Sequence, residues 1–292
     1  MKRKILEEGL SHRPDGLLYH YTNQAGLLGI IGKKEIWATH TQYLNDTREF
    51  LHAVEIVRHE LSTRAVGTDP GDEQMKAALR EMLQGIENAA NLANINVCVA
   101  SFSKTRDSLA QWRAYGPRGG FCIGINGNRL VDLVREQEFY LAPCIYERVL
   151  QQRLLHALIE EVLEENTLQP RQPVAKGRIV LPGGNLRDYL LRYAPILKDP
   201  SFVEEQEWRI ISPVQRCDGP LFDFREGRTM LIPFYRFPLH RVDGSVPIEE
   251  VIIGPTPDPQ RSEGSVRSFL IRHGFSHAQV KVTCSEVPYR SW

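Results

Sequence analysis

The sequence predicts an α+β protein built on a mixed, largely antiparallel β-sheet with helices packed around it. Stretches with strand-like alternation and stretches with helical apolar spacing are interspersed along the 292 residues. They do not follow a regular strand–helix–strand rhythm, and several predicted strands succeed one another without an intervening helix. That order argues against a doubly wound parallel sheet.

The elements are predicted from periodicity, turn residues and helix caps. After a polar lead-in over residues 1–16, strands are expected at 17–21, 35–40, 96–103, 119–125, 139–146, 205–213, 229–237, 249–253 and 279–286. Helices are expected at 24–32, with Asn23 as N-cap, and at 45–64, 72–94, 108–115, 128–137, 147–166, 186–197 and 258–273. A loop rich in proline and glycine is expected at 169–184. We interpret residues 17–292 as one domain with helical insertions at about 46–95 and 147–198.

The composition is that of an ordinary globular protein. Hydrophobic residues make up 42% and charged residues 25% of the chain. Lysine and arginine total 36, as do aspartate and glutamate, so the net charge is zero. Such a chain has no overall positive field to hold nucleic acid non-specifically, but it is compatible with a local basic patch.

The cysteines and the apolar runs predict a cytoplasmic protein. The five cysteines are odd in number and form no CxxC pair, and three lie in apolar strand-like runs typical of reduced, buried thiols. We therefore expect a reducing compartment and no structural zinc. The N-terminal segment lacks an apolar signal core, and no stretch approaches the roughly 18 apolar residues of a membrane span.

The first predicted strand ends in three polar residues, His20, Tyr21 and Thr22. Their imidazole, phenol and hydroxyl groups suit ribose and amide groups, although polar residues at a strand end also cap the helix that follows. After the second strand, Asp46 and Glu49 have the spacing of a capping box, so the start of a helix is enough to explain both acids. Asn45 is then left as a candidate site residue.

A second candidate region follows the strand that contains Ser101. Trp112 and Tyr115 are three residues apart and share one face of a short helix. Beside the glycines at 119–120, this aromatic pair is able to enclose a planar ring such as nicotinamide or adenine, while the alternative is that both rings belong to the core. The GxGxxG fingerprint is absent.

The third candidate region contains two glutamates and an arginine on one predicted strand. Because alternate residues of a strand share a face, Glu205, Glu207 and Arg209 would point one way, and Trp208 and Ile210 would point into the core. A carboxylate beside a guanidinium stays ionised and can stabilise an oxocarbenium-like centre. The alternatives are a salt-bridged surface strand or a metal site, but no histidine stands at ligand spacing.

Nine short sequence blocks along the chain resemble a bacterial family of uncharacterised proteins, domain of unknown function 2971. The blocks lie at 18–22, 27–31, 35–38, 44–49, 100–103, 112–115, 120–124, 205–209 and 251–255. Together they span about residues 17–255 in the order of the family. The family carries no settled activity.

The opening strand, which ends in His-x-Thr before a helix and a second strand, resembles ADP-ribosyltransferase toxins that modify DNA. The resemblance implies an ADP-ribosyltransferase-like core and NAD as substrate. In those enzymes a polar residue on the first strand contacts NAD, and His20 matches it here. An aromatic residue stacks on nicotinamide, which would be Tyr21, Trp112 or Tyr115. A late glutamate is catalytic, and Glu207 matches it, but no early NAD-binding arginine has a match.

The leading hypothesis is therefore an NAD-dependent ADP-ribosyltransferase-like enzyme without a metal, acting as a toxin or in anti-phage defence. The expected NAD-binding residues are His20, Tyr21, Thr22, Asn45, Ser101, Trp112, Tyr115, Arg118 and Arg209. The expected catalytic residues are Glu207 and Glu205, which resemble the paired-glutamate motif of some ADP-ribosyltransferases.

The acceptor of the ADP-ribosyl group is expected to be a nucleic acid or a protein, and a partner encoded in the same operon fits this hypothesis. Two other functions stay open: a non-catalytic sensor of a nucleotide or phage component, and an NAD glycohydrolase. A nuclease is disfavoured because the sequence has no acidic PD-(D/E)xK cluster.

Overall fold

The computed structural model describes residues 10, 12–44, 48–69, 71–89, 95–116, 119–168 and 186–288. Ten strands in these residues hydrogen-bond into a single sheet. They are β1 (Leu17–Asn23), β2 (Glu35–His40), β3 (Cys98–Ser103), β4 (Gly120–Asn126), β5 (Tyr140–Pro143), β6 (Glu207–Ile211), β7 (Phe222–Glu226), β8 (Leu231–Pro238), β9 (Ile248–Ile253) and β10 (Lys281–Cys284). The predicted α+β class is confirmed.

The sheet has the order β10-β9-β4-β1-β3-β2-β8-β7, and a branch from β3 continues through β6 to β5. Among the described strands, the β9–β10 pair is parallel and all other ladders are antiparallel. The largely antiparallel sheet that the sequence predicts is therefore confirmed.

Eight described α-helices surround the sheet. They are α1 (Gln24–Lys33), α2 (Arg48–Gly67), α3 (Glu73–Ala89), α4 (Leu109–Tyr115), α5 (Gly127–Glu136), α6 (Arg148–Leu168), α7 (Leu186–Tyr193) and α8 (Pro259–Arg272). The predicted N-cap of α1 is confirmed, because the Asn23 side chain accepts a hydrogen bond from the Gly26 amide at 2.9 Å. The predicted helix start at 45–46 and the loop at 169–184 lie outside the described residues.

Two strand predictions need correction. The strand predicted at 205–213 begins only at Glu207, because Pro200–Glu205 is a 3₁₀ helix and Gln206 has a left-handed backbone with φ of 43°. β7 was not predicted at all, because this edge strand buries Phe222 but leaves Asp223, Phe224 and Glu226 exposed. It therefore has neither a continuous apolar run nor a clean alternation.

The two faces of the sheet pack against different helices. One face packs against α1, α5 and α8 in a core that includes Ala100, Phe102 and Ile123. The opposite face packs against α2, α3, α6 and α7 around Val99 and Ile211. A smaller cluster on this second face joins Tyr19, Tyr21, Trp112, Cys122 and Ile252. The candidate site lies between the second and third clusters.

The sheet divides at β3. β2 pairs with the beginning of this strand, at Cys98 and Val99, whereas β1 pairs with its last residue, Ser103. The middle of that edge of β3 is therefore left without a backbone ladder, because β1 continues along β4 and β2 continues along β8. This division creates a gap between β1 and β2 over the middle of β3.

Glycines at the end of α4 let two chain segments touch. A Cβ built on Gly120 would lie 2.6 Å from the Gly116 Cα, and one built on Gly254 would lie 2.9 Å from the Gly120 carbonyl oxygen. Both distances are shorter than any ordinary carbon contact. Gly120, one of the two glycines predicted to approach a ligand, thus packs the chain against itself together with Gly116.

Because of this close contact, a methyl group added at Gly120 is expected to destabilise the protein measurably. Gly120→Ala should lower the free energy of unfolding by about 1–3 kcal/mol, because a backbone must move to accept the Cβ. Chemical denaturation measures the change. Gly29→Ala is the matched control, since its Cβ would meet nothing within 4 Å and alanine favours a helix by up to about 1 kcal/mol. Equal stability of the Gly120 variant and the wild type would contradict the packing described.

Candidate functional site

A cleft of about 230 Å³ opens at the gap between β1 and β2. Seven of the residues predicted from the sequence line it: His20, Tyr21, Ser101, Tyr115, Glu205, Glu207 and Arg209. They come from three strands, a helix and a 3₁₀ turn that are far apart in the chain. The tertiary structure therefore brings the first-strand and late-glutamate regions together in one place.

The centre of the cleft is a network of two acids and two bases. The Lys198 ammonium contacts Glu205 Oε2 at 2.5 Å and also pairs with Glu207. The Arg209 guanidinium binds Glu207 through Nε at 2.7 Å and through Nη2 at 3.1 Å. Both carboxylate oxygens of Glu207 are therefore engaged by cations.

Burial alone would raise the pKa of Glu207, whose side chain is 6% exposed. The charges and hydrogen bonds of Arg209 and Lys198 outweigh that effect and lower the pKa to about 2. The pKa of Lys198 is raised, because the attraction of Glu207 and the hydrogen bonds outweigh the larger single effect of burial, which lowers it. Glu207 is thus a buried carboxylate that stays charged at neutral pH.

Strand register explains why these groups meet. Across the β3–β6 ladder, Ser103 pairs with Glu207 and Ser101 pairs with Arg209, and residues directly opposite each other share a face. Trp208 lies on the other face, in the sheet core, as the alternation predicted. The cleft face of β3 and β6 is therefore polar at one end, although the same face is apolar at Val99 and Ile211.

Backbone contacts fix the network in position. The Glu207 amide donates to the Tyr146 hydroxyl at 2.8 Å, and Arg209 Nη1 donates to the Pro195 carbonyl at 2.6 Å. The Ser103 hydroxyl donates to the Glu205 carbonyl at 2.6 Å. These contacts tie the 3₁₀ turns before β6 to the sheet, so the acids have little freedom to move.

His20 fills the gap where β1 leaves β3. Its Nδ1 lies 2.8 Å from the Ser101 carbonyl oxygen, and its ring packs against Phe102 at 5.6 Å between centroids. Because a carbonyl only accepts, Nδ1 must carry the proton, which leaves Nε2 as the acceptor. Burial lowers the pKa of His20 below 6.5, and the contact with Ser101 opposes this only in part. The ring is thus neutral at pH 7.

We expect His20 to stay neutral and protonated on Nδ1 at pH 6.5, where an ordinary histidine is half protonated. Below pH 6.5 the unfolded chain binds a proton on this histidine that the folded chain excludes. The free energy of unfolding therefore falls as the pH decreases from 6.5 toward the lower pKa that His20 has in the folded protein. Nitrogen-15 NMR reports the tautomer, and the signal missing in His20→Gln assigns it. An Nε2 proton, or titration near pH 6.5, would refute this arrangement.

Trp112 does not line the cleft. It is 1% exposed, its Nε1 donates to Asp107 at 2.6 Å, and its ring meets Tyr21 edge-on at 4.8 Å. It has no ring face left for a ligand, which favours the core interpretation of this residue. The Tyr21 hydroxyl is also engaged, since it donates to the Thr105 carbonyl at 2.7 Å and accepts from the Ser108 amide at 3.0 Å.

Other aromatic rings are exposed in the cleft. Trp37 is 41% exposed, Tyr43 is 38% exposed and Tyr115 is 42% exposed. Of these, only Tyr115 was predicted. The position of Trp37 in the sequence indicates that its ring is exposed, and this indication was overlooked. In the strand β2, Ile36 and Ala38 point to the buried side, so Trp37 between them points to the side where polar residues are expected.

Two further cations in the cleft were not predicted from the sequence. Arg225 reaches the cleft from the unpredicted strand β7, and its one polar contact in the described part of the chain is a long hydrogen bond of 3.4 Å to the Thr39 hydroxyl. Lys198, which holds the two glutamates, follows α7 as an isolated lysine beside an apolar run and is 6% exposed. Neither residue has a local sequence pattern that indicates a site.

Among the predicted site residues that the structure describes, Thr22, like Trp112, is not one of those lining the cleft. Thr22 instead lies over the first turn of α1, where a Cβ on Gly26 would be only 1.8 Å from the Thr22 hydroxyl oxygen. Asn45 and Arg118 lie outside the described residues. The first strand therefore contributes His20 rather than Thr22.

In the segments that the structure describes, no group of three histidine, cysteine, aspartate or glutamate side chains is arranged to hold a metal ion. No helix in those segments is long and apolar enough to cross a membrane. The cysteines are free thiols, and Cys98, Cys122 and Cys144 are buried, as their apolar surroundings predicted.

Comparison with known proteins gives a similarity to one family over part of the chain, and no activity. No curated protein and no solved structure matches the chain. A family model described as a protein of unknown function (DUF2971) matches residues 111–210. That segment contains Tyr115, Lys198, Glu205, Glu207 and Arg209, and so it includes the whole acid–base network of the cleft. Over residues 111–210 the chain is therefore similar to the DUF2971 family of proteins of unknown function.

Proposed function

We propose that the cleft binds NAD and that the protein is an ADP-ribosyltransferase-like enzyme. The observation that carries the proposal is the pair of ion-paired carboxylates, Glu205 and Glu207, in the same cleft as the neutral His20 and the exposed ring of Trp37. Fixed negative charge stabilises a sugar that becomes cationic, and exposed aromatic rings stack on planar bases. A role as a toxin or in anti-phage defence is part of the same proposal.

In the proposed reaction, the bond between the nicotinamide nitrogen and C1′ of its ribose breaks. Nicotinamide leaves with the bonding electron pair and becomes neutral, so its departure needs no proton. The ribose passes through an oxocarbenium-like state that a nearby carboxylate stabilises. The acceptor nucleophile forms the new bond to C1′, and its proton passes to a base in the cleft.

The two glutamates have different surroundings, and we assign them different roles. Glu207 is nearly buried, and its two oxygens are bound by Arg209 and Lys198. Glu205 is 26% exposed, and its Oε2 contacts Lys198. We therefore place Glu205 against the ribose as the catalytic residue and Glu207 behind it as a positioning residue that fixes Lys198.

The remaining groups of the cleft suit the other parts of NAD. Tyr115, or Trp37 with the part of its ring that does not pack against Phe234 at 4.4 Å between centroids, offers an aromatic surface to the nicotinamide or the adenine. The guanidinium of Arg225 suits the diphosphate, because it can form two parallel hydrogen bonds to phosphate oxygens. The free Nε2 of His20 can accept a proton or a hydrogen bond from a ribose hydroxyl.

One observation favours a second function, a sensor that binds a nucleotide without turnover. Glu207 is saturated by two cations, which reduces the negative charge that reaches a ligand. The two functions share the cleft and differ in chemistry. An NAD glycohydrolase would use the same residues with water as the acceptor.

Incubation with NAD labelled in the adenylate half, together with DNA, RNA or bacterial lysate, tests the proposal. Transfer of label to a macromolecule with equimolar release of nicotinamide supports an ADP-ribosyltransferase. Nicotinamide release without labelling indicates a glycohydrolase. Binding of NAD with neither product indicates the sensor, and absence of both binding and turnover removes NAD as the ligand.

A further inference from the structure

We propose that a second, basic groove on this protein binds the phosphate backbone of a nucleic acid. The groove has a volume of about 700 Å³ and shares no lining residue with the cleft. It lies beside the helices α1, α5 and α8, which pack on the opposite face of the sheet from the cleft. The inference is independent of NAD chemistry.

The groove concentrates positive charge in a chain whose net charge is zero. Four cationic side chains line it: Lys34, Arg129, Arg267 and Lys281. Glu249 is the one carboxylate among the described residues that line it, and it accepts a hydrogen bond from the Asn126 amide at 2.9 Å. His273 and His277 add two imidazoles. The field in this groove is therefore positive, although the whole molecule is neutral.

Three of the four cations have no acidic partner within 4.0 Å in the described part of the chain. Arg129 and Lys281 make no side-chain hydrogen bond or ion pair there, although the charge of Arg129 contributes to lowering the pKa of Asp243, and Lys34 lies 5.9 Å from the centre of the Phe275 ring. Arg267, in contrast, is bound to Glu263 at 2.6 Å. Since surface cations commonly pair with nearby acids, three unpaired ones in one groove indicate a site for an external anion.

The shape and lining of the groove favour a phosphate backbone over other anions. The unpaired cations come from three separate elements, at the end of α1, in α5 and in β10, so the positive charge of this groove of about 700 Å³ is not confined to one element. Phe275 is the one phenylalanine, tyrosine or tryptophan among the described lining residues and is 7% exposed, so it offers no face for base stacking. Contacts to successive phosphates, without recognition of bases, fit these features.

The test measures binding of fluorescein-labelled duplex DNA, single-stranded DNA and single-stranded RNA by anisotropy, at salt concentrations between 50 and 200 mM. The triple variant Lys34→Gln/Arg129→Gln/Lys281→Gln should weaken binding at 50 mM by roughly tenfold or more and reduce the slope of log K against log salt for duplex DNA by about 2–3. Thermal melting followed by circular dichroism confirms that the variant is folded.

The control is Lys33→Gln/Lys104→Gln/Arg272→Gln, which removes the same net charge from exposed side chains outside the groove. It should bind like the wild type. Equal weakening in both triple variants would mean that total charge, and not the groove, governs binding, and would overturn the proposal. The proposal would also be overturned if the wild type bound no nucleic acid. The same holds if the wild type bound polyglutamate as tightly as nucleic acid and the groove variant weakened both to the same extent. The single change Arg129→Gln repeats the test if the triple variant unfolds.

Discussion

Replacing Arg209 with methionine is expected to lower the free energy of unfolding by about 3–5 kcal/mol, because it leaves a buried carboxylate without its main partner. Arg209 is 3% exposed and binds both oxygens of Glu207. Arg209 contributes more than Lys198 to lowering the pKa of Glu207 to about 2 against the effect of burial. Urea denaturation at pH 7 measures the change.

A matched control exists for this prediction. Arg216 also binds an acid two residues away with two hydrogen bonds, to Asp218, but their side chains are 70% and 63% exposed. Arg216→Met should therefore leave the midpoint of denaturation unchanged. The double variant Arg209→Met/Glu207→Gln should recover part of the loss, because the uncompensated charge is removed. Similar stability of Arg209→Met and Arg216→Met would show that the buried network does not stabilise the fold.

Glu205→Gln is expected to reduce kcat for NAD turnover by about 10²–10³-fold, the usual cost of removing one group that stabilises transition-state charge. The change keeps the shape of the side chain, and the partly exposed ion pair with Lys198 contributes little to stability. KM for NAD should change far less than kcat, because the charge on the ribose develops only in the transition state. Nicotinamide release under saturating NAD measures the rate.

Glu204→Gln is the control for this second prediction, since Glu204 is the neighbouring acid, is exposed and does not line the cleft. It should turn NAD over at the wild-type rate. Full activity of the Glu205 variant would remove the catalytic role proposed for that residue. If Glu207→Gln then abolished turnover while the protein stayed folded, the catalytic role would pass to Glu207.

Much of the fold was predictable because local physics decides it. The strands β1, β2 and β4 and the helices α1, α5 and α8 carry clear periodicity and caps, and each was predicted to within a few residues. β7 was missed because an exposed edge strand needs only one buried residue, Phe222, to pack. The start of β6 was misplaced because the left-handed Gln206 is set by the turn around it.

The site was predictable only in part, because the sequence shows the type of a side chain but not its neighbours. Glu207 and Arg209 were found because they alternate on a strand with buried Trp208. The sequence left the choice between a core and a ligand-binding role for Trp112 open, because an aromatic residue on a short helix has the same pattern whether its ring is buried or free. Here Asp107 and Tyr21 decide the outcome.

The sequence by itself determined the α+β class, the alternation that turns Glu207 and Arg209 to one face, and the free, mostly buried thiols, since each depends on residues close together in the chain. Only the tertiary structure decided that β1 and β2 separate over β3, that Lys198 joins the two glutamates, and that Trp37 and Arg225 enter the same cleft. Apart from the contacts of Lys198, which lies within nine residues of both glutamates, those features arise from contacts across many tens of residues. Side chains so distant in sequence meet only through the packing of the whole sheet, which no local pattern records.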